Sequence, residues 1–184
     1  MLLDQKGSAR LALITTILQA ANGIEGRTKF QKIAYFANLL GWNCLEDFKF
    51  HYYGPFSRSL TDDIEGMRGN GWIYEEAEPT FSDRTIYKYR IAKGKRGVAD
   101  ALVARANDPA LVKKTFSLVK TLDKFTSDDL ELMATLIFLR RSYPKASSES
   151  LLKMTNDLKP RFKMDRVVDA SRKLEEVKPF GFTF

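Results

Sequence analysis

The chain has 184 residues, 44% hydrophobic and 29% charged, with a net charge of +7 and a pI of about 9.4. That is enough to build a sizeable core, as one domain or two small ones, while no apolar run approaches the ~20 residues that span a bilayer. The lone Cys44 excludes an intramolecular disulfide; together with an N-terminus that lacks a signal-peptide pattern, it leads us to expect a cytoplasmic protein with no membrane association.

Charge is unevenly distributed. From Glu46 to Asp83 nine acids stand against three bases, and from Arg84 to Arg105 seven bases stand against Asp100 alone. A positive excess favours polyanionic partners. The two blocks fit either a functional basic surface or two solvated faces that differ in sign.

In chain order, Ser8 can cap a first helix with Leu11, Ile14, Leu18 and Ala21 on one stripe, ending at Gly23. Thr28 and Gln31 have capping-box spacing for a second helix, which carries Phe30, Ile33, Ala34, Ala37 and Leu40 and stops near Gly41. Lys29 and Lys32 fall outside its apolar stripe and are expected on a polar surface. Phe48, Phe50 and Tyr52 alternate with Lys49, His51 and Tyr53, a strand signal rich in aromatics. Gly54-Pro55 is expected to break that ladder at a buried corner, with Tyr53 or Phe56 against the Phe30/Ile33/Ala37 face. Ser57 then caps a third helix bearing Leu60, Ile64 and Met67. Asp62 and Asp63 are read as first-turn carboxylates facing the helix dipole.

Gly69-Asn70-Gly71 closes that helix. A strand begins at Trp72-Ile73-Tyr74, a turn or loop spans Ala77 to Arg84, and a return strand runs from Thr85 to Ile91. This hairpin is expected to show Tyr87, Tyr89 and Ile91 on an apolar face and Ile86, Lys88 and Arg90 on a basic one. A helix follows over 98–106. Pro109 opens the next helix, and Thr126 with Asp129 opens another. Ser147 or Ser148 caps a helix that Pro160 ends, and the last helix covers 165–177. The tail Phe180, Phe182, Phe184 alternates as an extended segment would, and is expected to dock on its own domain or across a dimer interface. The fold class expected is α+β, mainly α: a winged-helix-like domain over 1–106 with a small antiparallel sheet, then an all-helical subdomain over 107–184. One feature departs from a helix-turn-helix, whose two helices are joined by a tight turn of ~3–4 residues: here residues 42–56 intervene.

The run Arg27-Thr28-Lys29-Phe30-Gln31-Lys32-Ile33-Ala34-Tyr35 and the corner Phe48 to Ser57, with Phe50-His51 and Tyr53-Gly54-Pro55-Phe56-Ser57, resemble the YwgA-like family of uncharacterised prokaryotic proteins. That family has a K-x-x-Q-K-x-x-Y helix start and an F-x-F-H-x-Y-G-P-[YF]-S corner; here Lys29 stands one residue closer to Gln31. The segments Leu130 to Thr135 and Lys159-Pro160-Arg161-Phe162 resemble its helical C-terminal part. A more distant similarity is to the Panacea antitoxin domain, through the Q-K-x-x-Y helix and the Y-G-P corner. The resemblance implies a winged-helix-like fold and a regulatory or antitoxin-like role.

Catalysis is not expected. His51 and Cys44 are the only residues of their types; a Cys–His pair would need an orienting group and an oxyanion site, and the two cannot supply a usual zinc set. No phosphate-binding glycine motif occurs, so neither cofactor nor metal is expected. His51, Tyr53, Gly54, Pro55, Phe56 and Ser57 are read as a structural corner. Lys29, Lys32, Arg84, Lys88, Arg90, Lys93, Lys95 and Arg96 are the candidate nucleic-acid-binding residues, able to neutralise phosphates of duplex DNA from a hairpin and its following loop. The alternative is a module that binds a partner protein, and a homodimer is left open.

Overall fold

A computed structural model of the protein describes residues 5–45, 47–79, 85–106 and 108–184. It is mainly helical with small antiparallel sheets, as the periodicity predicts. Helix α1 (Gln5–Ala21) is the centre. Every residue from Leu11 to Leu18 is buried, not only the expected stripe, because the helix is enclosed by α4 (Arg96–Ala104), α5 (Pro109–Leu122) and α2 (Arg27–Ala37). A helix apolar on all sides belongs in an interior. Thr15 and Thr16 are tolerated there because each hydroxyl donates to the carbonyl four residues back.

Two short strands sit either side of Tyr52-Tyr53: β2 (Lys49–His51) and β3 (Gly54–Phe56), antiparallel, with His51 opposite Gly54. Gly54-Pro55 therefore does not end the ladder; it is the returning strand of a hairpin with a two-residue turn. Helix α3 (Arg58–Gly69) follows, capped by Ser57 as expected and burying Leu60, Ile64 and Met67. Its acids lie beyond the first turn. Asp63 instead pairs with Arg10 of α1 at 2.6 Å, and Asp62 with Arg58.

The larger sheet has the order β1-β5-β4. Strand β4 (Ile73–Pro79) pairs with β5 (Thr85–Ile91), and the two-residue β1 (Ile24–Glu25) adds to the other side of β5. Strand β4 runs through Ala77 to Pro79, a segment read from sequence as loop; a proline is accommodated at the end of an edge strand. The hairpin's expected apolar face holds only near the core, where Tyr89 is 2% exposed against 44% for Tyr87.

Helices α6 (Ser127–Ser142), α7 (Ser148–Leu158) and α8 (Met164–Lys173) complete the chain. The Thr126/Asp129 capping box forms. The last predicted helix divides into α8 and a 3₁₀ segment, Leu174–Phe180. The tail is not strand-like: Gly181 turns it with φ +94°, and Phe182 packs edge-on against Phe36 at 5.1 Å. The described residues before and after position 107 share one interior. One cluster of buried side chains runs from Leu11 to Phe182, α5 packs on α1, α6 packs on α2, and Trp42 Nε1 donates to Thr115 Oγ1 across the boundary. No described helix is long and apolar enough to cross a membrane.

Candidate functional site

The aromatic hairpin is held by side chains that the sequence pattern assigns elsewhere. Gln31 does not close a capping box; α2 starts from Gly26 without a side-chain cap. Its amide instead brackets Ser57, accepting from the Ser57 N–H at 3.0 Å and donating to the Ser57 carbonyl at 2.9 Å and to Thr61 Oγ1. Lys32, expected on a polar surface, is 1% exposed and donates to the Pro55 carbonyl at 2.6 Å. Lys159 donates to the Tyr52 carbonyl from the far side. Asp47 takes bonds from the Ser57 and Ser59 hydroxyls and the Ser59 N–H at the start of α3. Burial alone would raise its pKa, but those donors hold it below the usual carboxylate range. Gly54 and Pro55 are buried, Phe56 is half-buried on β3, which packs on α2, and Tyr53 is exposed; the hairpin docks further through Phe48 on Tyr35 and Phe50 on Phe138.

Behind the hairpin lies a compact charge cluster. Glu131 is 1% exposed and pairs with Lys159 at 3.1 Å and Arg161 at 2.6 Å; Arg161 also reaches Asp128. Lys32 interacts electrostatically with both Glu131 and Lys159. Burial pushes the Lys32 amine down to about 7 and lowers that of Lys159 as well, with Glu131 opposing both shifts. The signal available in the sequence was Glu131 itself, an acid inside the apolar run Leu130 to Ala134. Such a charge is tolerated only when paired, and the segment Lys159-Pro160-Arg161-Phe162 supplies its two cations.

The candidate basic residues separate into two sets. Lys29 is bound to the Asp123 carboxylate and carbonyl, at 2.8 and 2.6 Å. Lys88 pairs with Glu25, and Arg90 with Glu76 while also donating to the Asn22 carbonyl. With Lys32 inside, these four are engaged by the protein, though of the acidic block only Glu76 takes part. Arg84 lies outside the described residues. Lys93 and Arg96 are exposed and Lys95 half-exposed, and none of the three forms an ion pair among the described residues. They stand where β5 passes into the N-terminus of α4. Beside them opens a cleft of about 590 Å³, whose walls include Arg90, Lys93, Arg96, Asp100, Tyr74 and Phe116.

Cys44 and His51 are not brought into a reactive arrangement. Cys44 is buried, which pushes its thiol up to about 11, away from the reactive thiolate form. His51 is exposed, with its ring against Phe56 at 5.5 Å.

No family model matches the chain. It is 24% identical over 167 residues to the uncharacterized protein YwgA of Bacillus subtilis (strain 168), spanning 91% of this chain and 95% of that one. The chain is thus similar to YwgA along almost its whole length, which supports the YwgA-like relationship suggested by the Gln31-Lys32-Tyr35 helix and the Phe48–Ser57 corner.

Proposed function

We propose that the protein is a non-catalytic nucleic-acid-binding module of winged-helix-like plan, with the β4–β5 hairpin as its wing and the loop entering α4 as its phosphate contact. The observation that carries this reading is the group Lys93, Lys95 and Arg96, without acid partners among the described residues, beside a cleft that carries Tyr74 and Phe116. Cations there neutralise the phosphates of a duplex. Helix α3 contributes little, because its solvent face is balanced: Arg58 with Asp62, and Arg68 with Glu65. The association constant for a labelled duplex, read by anisotropy, should fall with salt at a log–log slope of about −3, and Lys93→Glu/Lys95→Glu/Arg96→Glu should abolish binding without changing the melting temperature. No binding by the wild type at low salt overturns the reading.

A second reading, capture of a partner protein in an antitoxin-like or adaptor role, is favoured by the hairpin tip. Tyr52 and Tyr53 are 68% and 48% exposed and pack edge-on at 4.9 Å. Tyrosines of this kind are enriched in interface anchors.

A further inference from the structure

A second cavity, of about 410 Å³, lies between α2, α3, the aromatic hairpin and β5, away from the cleft beside α4. Its volume falls in the range of small-molecule sites, ~300–1,000 Å³. Phe30, Phe56 and Ile64 give it apolar walls, and His51 and Tyr53, both exposed, stand at its rim. Lys32, 1% exposed, is also among its lining residues.

The charge around Lys32 is incomplete. Lys32 and Lys159 are two buried amines beside one buried carboxylate, Glu131, which Arg161 also engages. Arg161 has a second acid in Asp128; among the described residues Lys32 has only the neutral carbonyl of Pro55 as a hydrogen-bond acceptor. The other acids near the cavity are already committed: Glu65 to Arg68 at 2.6 Å, and Glu75 between Arg27 and Arg68. A buried cation short of a counter-charge favours an anion, and the apolar walls favour a flat apolar body attached to it.

We propose that this cavity binds a small aromatic carboxylate, its ring against Phe30, Phe56 and Ile64 and its carboxylate paired with Lys32. The site is separate from the proposed phosphate contact, so it stands whether or not nucleic acid is bound. The class is that of a small-molecule effector, recognised by one ring and one negative charge.

Benzoate, with benzyl alcohol as the uncharged comparison, tests this by protein-observed NMR. Benzoate is expected to shift the amides of Thr61, Ile64 and Phe56 saturably, with a dissociation constant on the order of 1 mM, as few atoms allow. Benzyl alcohol should bind at least about tenfold more weakly, and Lys32→Gln, which keeps a donor for Pro55 but not the charge, should bind benzoate no better than the alcohol. Equal affinity of the wild type for both probes overturns the proposal without requiring any variant to fold. So do shifts confined to other surfaces, or no saturable shift at all.

Discussion

Burial is the main force on the Lys32 amine, bringing it from an ordinary 10.5 to about 7, with Lys159 acting in the same direction and Glu131 against it. The native pKa is therefore below the unfolded one. Below about pH 7 both states hold the proton and the penalty of burying it is fully present. Above that, the native state sheds a proton that the unfolded chain keeps, so stability rises with pH. Cys44 acts oppositely above about pH 9, where the unfolded thiol ionises and the buried one does not. The urea midpoint should thus increase from about pH 7 to about pH 9, and Lys32→Gln should flatten that increase; a midpoint that falls over this interval contradicts the buried ammonium. The sequence misplaced this residue because its lysine lies off the apolar stripe of α2, and a stripe reports one packed face only. Helix α2 is packed on more than one, burying Phe30 to Ala37 without interruption. The exposure of Lys93 and Arg96 was legible because loop charges depend on no distant neighbour.

Among the elements, local signals held where no tertiary partner competed for the side chain. Thr126 and Asp129 cap α6 as their spacing predicts, whereas Thr28 and Gln31, with the same spacing, do not, because the Gln31 amide is drawn to Ser57. Strand β1 was invisible because two residues carry no periodicity, and the π-helical turn Asn38–Trp42 that ends α2 rests on Gly41 at φ +144° and on Asn38 accepting from the N–H groups of Cys44 and Leu45. The return strand of the hairpin starts on Gly54, at φ +82°, where an added Cβ would lie 2.9 Å from Thr135 Oγ1. Gly54→Ala should cost about 2 kcal/mol from the left-handed backbone alone, and more from the contact. In a Thr135→Ala background the loss should shrink toward the backbone part. An unchanged denaturation midpoint for Gly54→Ala would show that the hairpin does not turn this way.

Over the whole molecule, the C-terminal tail closes the core that the N-terminal helices begin. Phe182 is 8% exposed against Phe36, and Phe184 lies under the Arg140 guanidinium at 5.6 Å. Removing residues 179–184 should cost roughly 3 kcal/mol, the scale of losing a buried ring, with the mass in light scattering unchanged. A tail whose loss leaves the midpoint alone does not dock. The helix content and order were readable from periodicity; the shared interior was not, because apolar stripes identify what is buried but not against which element. The enclosure of α1 by α5 and of α2 by α6 has a consequence for synthesis. A ribosome releases the N-terminal helices first, at ~5–20 residues per second, and their covers only after residue 109. For several seconds the emerging chain carries Leu11, Ile14, Ile17 and Phe36 without the surfaces that enclose them, a sticky intermediate of the kind that chaperones bind, and translation stalled near residue 106 would make that exposure permanent.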